Sequence, residues 1–304
     1  MVEGLVNWAR ETYSPVAIIG SFFTILVAYV FWTVAEYFAP AQKGQPVNRR
    51  LYNILITLIF VLGTPVAAYV GGSFVSYFVR SLTDPIFNLN LASWYDGSTS
   101  VLRLVLLVPL LLIPILVFDF FYYWLHRAQH SWPWFWQVHK LHHTDEAVNV
   151  TTSYRHHWTE EFFRSVAIVA PMALLFNITP AEGGFLTVVL AQWGHFVHAN
   201  IRMPMGKAGL VVAGPQYHRI HHSVERKHWD KNFAAYFPLW DIVFGTAYVP
   251  QHNEWPATGV KGEDPTPGIG QVLFGPMISW GSSARRSMAS AGEGRRNVSK
   301  TAQR

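Results

Sequence analysis

Residues 101–130 read VLRLVLLVPLLLIPILVFDFFYYWLHRAQH. The apolar run Val101–Leu125 is long enough, at about 1.5 Å per helical residue, to cross a hydrocarbon core of about 30 Å. Pro109 and Pro114 lie inside it, which membrane helices tolerate. Two histidines follow at once, His126 and His130. Residues four apart share a helix face, with Cβ atoms about 5–6 Å apart. The stretch therefore reads as a spanning helix that emerges carrying two imidazoles aimed at one point.

Working outward, Pro15–Phe38 and Leu51–Val70 are two further apolar runs of spanning length. A signal peptide fits the first poorly, because the run exceeds an h-region and Glu3, Arg10 and Glu11 make a weak basic flank. Two shorter runs, Val166–Phe176 and Phe185–Val197, either nearly span or form a re-entrant hairpin; both options return the chain to the side it left. The expected fold class is an all-α integral membrane protein of about four transmembrane helices or hairpin segments with a cytoplasmic histidine-rich helical cap. Lys43, Arg49 and Arg50 place the 41–50 loop in the cytoplasm by the positive-inside rule. Residues 71–100 are then outside, with Phe74, Tyr77, Phe78, Trp94 and Tyr95 suited to an interface. Residues 126–161, 199–250 and the tail fall together on the cytoplasmic face. Four segments are expected: a transmembrane region 1–103, a catalytic domain 104–250, a loop extension 251–280 and a basic disordered tail 281–304. Glu36, at the end of the first run, is expected to snorkel to the boundary.

Composition agrees with a bilayer. Of the 304 residues 51% are apolar and 13% charged, against about 25% charged in soluble domains; mean hydropathy is +0.18. The net charge of +5 resides in residues 281–304, which hold six basic residues and Glu293. The rest is neutral, so no nucleic-acid partner is implied. There is no cysteine, which excludes disulfides, iron–sulfur clusters, thiolate zinc sites and a cysteine nucleophile. Histidine takes their place: 12 of the 14 histidines lie between His126 and His222.

They fall in patterns. His126 and His130 read HxxxH; His139, His142 and His143 read HxxHH; His218, His221 and His222 read HxxHH again; His195 and His198 end the last apolar run. On a helix, HxxHH offers a face pair and an adjacent imidazole able to reach a second point. Eight nitrogens exceed one ion's need, so two metals are the economical reading, and imidazole suits iron, zinc, copper and nickel. Asp119, seven residues before His126, shares its helix face and is expected to orient an imidazole through its second nitrogen. Glu160, Asp230, Asn232 and Asp241 are further candidates for that role. His156 and His228 are expected at the surface or behind the ligands, and His252 unligated.

The order of boxes after a membrane helix resembles the fatty acid hydroxylase / sterol desaturase superfamily of membrane di-iron oxygenases. Asp119 to His130 is similar to its opening helix, Arg155-His156-His157-Trp158-Thr159-Glu160 to its R-x-H-x-x-E element and Phe196-Val197-His198-Ala199-Asn200 to its F-x-H-[AS]-N element. Asp230-Lys231-Asn232-Phe233 and Trp240 to Thr246 resemble its closing D-x-N-[FY] and W-D-x-x-F-G-T elements. The likeness covers roughly 104–250. It implies two irons, O2 as cosubstrate and two electrons per turnover from an external donor. It also implies His126, His130, His139, His142, His143, His218, His221 and His222 as ligands. His157 and His198 match positions that complete the set, His195 is a possible addition, and Asn200 joins the supporting residues.

The implied reaction is hydroxylation or desaturation of an unactivated C–H in a membrane lipid; sterol, fatty acyl and related lipids stay open. Trp132, Trp134, Phe135 and Trp136 frame an apolar mouth or form an interfacial belt. With no dinucleotide fingerprint, no cysteine and no spare domain, the donor should be a separate reductase or small electron carrier. Two rivals are a membrane zinc hydrolase, which lacks its HExxH here, and a histidine-rich metal transporter, which would place histidines within the spans.

Overall fold

The computed structural model describes residues 14–79, 87–88, 101–177 and 180–283. The N-terminal 13 residues, most of the interfacial stretch 73–100 and the tail from 284 lie outside the described residues. Helices α1 (Pro15–Phe38) and α2 (Val47–Val79) open the chain. Among the described residues, Ile18–Phe38 and Val47–Ser73 are the two stretches long and apolar enough to cross a membrane. Both turn their apolar side chains outward: Phe23, Val27, Val30 and Val34 on α1, and Leu51, Leu55, Leu62, Val66 and Val70 on α2, are exposed at helical spacing. The run Val101–Leu125 lies within one helix, α3 (Val101–Ser131).

The remaining helices are shorter. α4 (Pro133–His143) begins with proline at its first position, where the missing N–H costs nothing. A 3₁₀ turn at Val150–Tyr154 leads to α5 (Glu160–Arg164), a π turn at Ser165–Val169 and α6 (Ala170–Leu175). α7 (Pro180–His198) carries the last apolar run, α8 (Pro215–His221) the second HxxHH, and α9 (Leu239–Val243) follows. Strand structure among the described residues amounts to the parallel pair β1 (Phe87–Asn88) and β2 (Phe176–Asn177) and two isolated bridges. The fold is all-helical in substance.

Two sequence expectations need correction. The extension 251–280 is loop only to 268; residues 269–283 are helical. Buried Val272 packs there with Ile56 of α2 and Leu141 of α4, so tertiary burial outweighs the local glycines and proline. Glu36 does not snorkel. It is 2% exposed, accepts the backbone N–H groups of Val150 at 2.7 Å and Asn200 at 2.8 Å, and lies 2.7 Å from Arg50 Nη2. A carboxylate that satisfies two buried loops gains more there than in water.

Packing sets the histidine helices. Leu125 of α3 and Phe135 and Val138 of α4 share a core with Ile168, Met172 and Phe176, while Val197 of α7 packs with Ala213 and Tyr217 at α8. Glycine lets α2 approach closely: a Cβ at Gly63 would stand 2.6 Å from Trp158 Cβ, and one at Gly71 2.6 Å from Ser165 Cβ. Such small-residue contacts are how membrane helices bring backbones together.

Candidate metal centre

The histidines converge in two groups. One holds His126, His130, His139, His143 and His221; the other holds His142, His198, His218 and His222, with all candidate ligand atoms of a group within 4.8 Å of one another. Each HxxHH box is divided between them. In α4 the i, i+4 pair His139 and His143 joins the first group and His142 the second. At α8 the assignment is reciprocal: His218 and His222 join the second and His221 the first. Two short helices with one spacing thus build two sites.

The Nε2 contacts are 3.1 Å for His126–His139 and His139–His143 and 3.2 Å for His130–His143. In the second group they are 3.0 Å for His142–His198, 2.9 Å for His198–His218 and 3.1 Å for His218–His222. Nitrogens about 2.1 Å from a shared ion would stand about 3.0 Å apart along an octahedral edge.

Tautomers show that these residues fit metal. His126 Nδ1 donates to the Phe233 carbonyl at 2.7 Å, His221 Nδ1 to the Lys231 carbonyl at 2.8 Å and His198 Nδ1 to the Gly194 carbonyl at 2.7 Å. His139 Nδ1 lies 3.3 Å from Glu160 Oε1. A carbonyl or carboxylate only accepts, so each of these rings carries its proton on Nδ1 and a lone pair on Nε2. Burial, reinforced by neighbouring imidazoles, holds His126 well below the ordinary value; burial lowers His139 despite Glu160, and pushes His198 and His221 down to about 3. The rings are therefore neutral. His126 and His139 then turn two lone pairs on each other at 3.1 Å, and buried His221 Nε2 has no hydrogen-bond partner among the described residues. Both arrangements are unfavourable unless a cation sits among the nitrogens.

Behind the rings the expected supports act in different ways. Glu160 alone meets imidazoles closely, His139 through Oε1 and His156 through Oε2 at 3.1 Å. Burial acts to raise its carboxyl, and His156 and His139 together overcome this and hold it well below the usual carboxylate range. Asp119 touches no imidazole, contrary to the face argument: it accepts the backbone N–H groups of Ala235, Tyr236 and Phe237. Asp241 accepts those of Phe233 and Ala234 and the hydroxyls of Tyr217 and Thr246. Asn232, at φ +60°, bonds Tyr217 and Tyr248 backbone. These three fix the loop whose carbonyls orient His126 and His221. Asp230 is exposed, 3.9 Å from His130 Nδ1, and Asn200 binds the backbone of Gln42.

The structure does not bring His157 or His195 to either group. His157 Nε2 meets the Leu273 carbonyl at 3.2 Å and its Nδ1 Thr159; His195 Nδ1 meets Ser153 Oγ at 2.7 Å. His156 stacks on His142 with centroids 4.2 Å apart. His228 is buried against Ser223 and Glu254, and His252 is exposed. Sequence reasoning placed Arg155 in the R-x-H-x-x-E element but named no task for it. Fully buried, it bonds the carbonyls of Leu141 and Pro265, Asn53 Oδ1 and Thr144 Oγ1 at 2.7–2.8 Å, which ties down the end of α4. Its signal was an arginine beside a histidine pair in a neutral, apolar chain.

Two cavities flank the centre. One of about 420 Å³ is lined by Phe60, Phe118, Tyr122, Tyr154 and Tyr236 and reaches His198 and His218. The other, about 440 Å³, reaches His130, His143 and His221 beside Trp136 and Trp229. Of the expected aromatic mouth, only Trp136 borders the histidines, 5.1 Å from His130 between centroids. Phe135 is core, and Trp132 and Trp134 face outward.

An all-helical fold with exposed apolar helices and two buried polyhistidine groups defines a class. Residues 111–246 match the fatty acid hydroxylase family, and that match together with the relatives supports the fatty acid hydroxylase / sterol desaturase superfamily. It is a membrane protein. Among its relatives, alkylglycerol monooxygenase of Danio rerio is 31% identical over 136 residues, 45% of this chain and 30% of that protein. Ornithine lipid hydroxylase OlsE of Rhizobium tropici is 26% identical over 244 residues, 79% of this chain and 69% of that protein. A cholesterol 25-hydroxylase-like protein of Danio rerio is 29% identical over 170 residues, 54% and 66% of the two chains. The chain spans about three-tenths of the length of the alkylglycerol monooxygenases it matches. No solved structure matches it.

Proposed function

We propose that the chain is a membrane-bound non-haem di-iron lipid hydroxylase. It would convert O2, two electrons, two protons and a lipid C–H into C–OH and water. The observation that carries the reading is the pair of histidine groups whose candidate ligand nitrogens converge, with the tautomers of His126, His221 and His198 fixed by backbone carbonyls. Bound there, two ferrous ions would supply the O2 activation and oxidising power that no side chain provides. The chain's own residues do the rest. His126, His130, His139, His143 and His221 would hold one ion and His142, His198, His218 and His222 the other. The carbonyls of Phe233, Lys231 and Gly194 and the Glu160 carboxylate aim the rings. The cavity beside His198 and His218 receives the lipid, and its aromatic wall keeps water from the reacting carbon.

Hydroxylation is favoured over desaturation by the names of the three relatives given above, two hydroxylases and a monooxygenase. Four membrane passes with the histidine face in the cytoplasm fit the basic 41–50 loop, and a separate carrier brings the electrons. The second cavity, bordered by Trp136 and Trp229, lies on the side of the first group and suits that delivery. The test is twofold. Detergent-purified protein should hold about two irons per chain; one zinc and no iron would instead indicate the hydrolase. Lipidomics of cells with and without the protein under 18O2 should show a lipid that gains one labelled oxygen, whereas unlabelled loss of two hydrogens would mean desaturation.

A further inference from the structure

Two opposite charges line the cavity that reaches His198 and His218, and they fit each other poorly. Glu161 and Arg164 stand on one side of α5, three residues apart. Arg164 Nε is 3.6 Å from Glu161 Oε2, too far for a hydrogen bond. The guanidinium also rests over the Tyr122 ring, 6.0 Å from its centroid, and feels the Glu160 carboxylate behind it. The side chains are 32% and 24% exposed, and no other Asp, Glu, Lys or Arg lines the cavity. A part-exposed pair this loose leaves donors on the guanidinium and acceptors on the carboxylate free to take further charged partners. The backbone holds both groups in place. The chain turns into the π turn Ser165–Val169 directly after Arg164, a geometry that concentrates at functional positions, and that turn is seated on Gly71 of α2.

We propose that Glu161 and Arg164 form the headgroup site for a zwitterionic lipid, its anionic group on the Arg164 guanidinium and its ammonium on the Glu161 carboxylate. An anionic headgroup alone meets Glu161, a cationic one meets Arg164, and an uncharged one leaves the two with only their loose contact to each other. A zwitterion completes both and keeps the cavity neutral. A planar guanidinium suits phosphate or carboxylate oxygens in pairs. The inference deepens the lipid-hydroxylase reading by naming a substrate class, and its test reads binding rather than turnover.

Detergent-purified full chain is titrated with phosphatidylethanolamine, phosphatidylglycerol and diacylglycerol of matched chains, and binding is read by native mass spectrometry. Phosphatidylethanolamine should bind about tenfold more tightly than the other two, the scale of one charge-assisted contact. Glu161→Gln should move the preference to phosphatidylglycerol. Arg164→Gln should weaken both phospholipids and leave diacylglycerol unchanged. Equal affinity of the unaltered chain for all three lipids overturns the proposal whether or not the variants fold, as do folded variants with the original preference. A chain that selects phosphatidylethanolamine yet oxidises no lipid keeps this inference and loses the hydroxylase reading.

Discussion

The ring of His126 hangs from the backbone of Phe233, 107 positions away, by a 2.7 Å bond from Nδ1 to the carbonyl. Asp241 in turn holds the N–H of that same Phe233 at 2.9 Å. A buried carboxylate that touches no imidazole thus sets the direction of one. Asp241→Ala should weaken metal retention by about 10–100-fold, the usual effect of removing such a support. Metal content after dialysis against graded chelator would measure it; retention like that of the unaltered chain would show that the loop holds its shape alone.

Glu160 takes His139 on one oxygen and His156 on the other. Glu160→Gln keeps the shape but leaves one acceptor and an N–H₂ group facing a ring proton. Occupancy of the first group should fall by a similar factor, read as metal per chain drifting from two toward one.

Acid should unfold the metal-free protein early. His198 and His221 are held at about 3 when folded, against about 6.5 in an unfolded chain. Between these values the unfolded state binds more protons, so stability rises with pH. The contribution is complete above about pH 6.5 and is lost as pH falls toward 3, at up to about 1.4 kcal/mol per unit and group. Thermal unfolding of chelator-treated protein at pH 7.5 and 5 should show the drop, with little change between pH 7.5 and 8.5.

Arg155 carries three buried hydrogen bonds, to α2 and the end of α4, and a part-buried one to the 265 loop. Arg155→Lys keeps the charge but not the fork. It should cost about 3–5 kcal/mol, as for a buried charge stripped of its partners. Loss of thermal stability with the residual metal ratio unchanged is the expected signature.

At Gly71 any side chain meets Ser165 and the Phe162 carbonyl. Gly71→Val should destabilise by about 1–3 kcal/mol, the cost of overpacking, whereas Gly72→Val, with open space around it, should cost less. Paired thermal melts would separate the two.

Much of the centre is legible in the sequence because helical spacing is local. The i, i+3, i+4 pattern already implies a face pair and a reach to a second point, and that is how His139, His142 and His143 divide. What a loop faces is not local. His156 and His157 are adjacent and follow a 3₁₀ turn, and only the packing of helix 269–283 decides that His157 meets Leu273. Asp119 shares a face with His126 by spacing, yet the imidazole takes a carbonyl from a distant loop, and Asp119 binds that loop's N–H groups instead. Arg155 and Glu36 stayed opaque because their partners, Asn53 and Pro265 for one and Val150 and Asn200 for the other, lie far away in the chain.

Glu36 also redraws the unit that folds. The family segment starts at 111, but two of its buried amides, on Val150 and Asn200, end on a carboxylate from α1. A fragment trimmed to that segment would leave both amides without an acceptor. The first helix is therefore a strut of the histidine-bearing body, and the two should melt as one cooperative block.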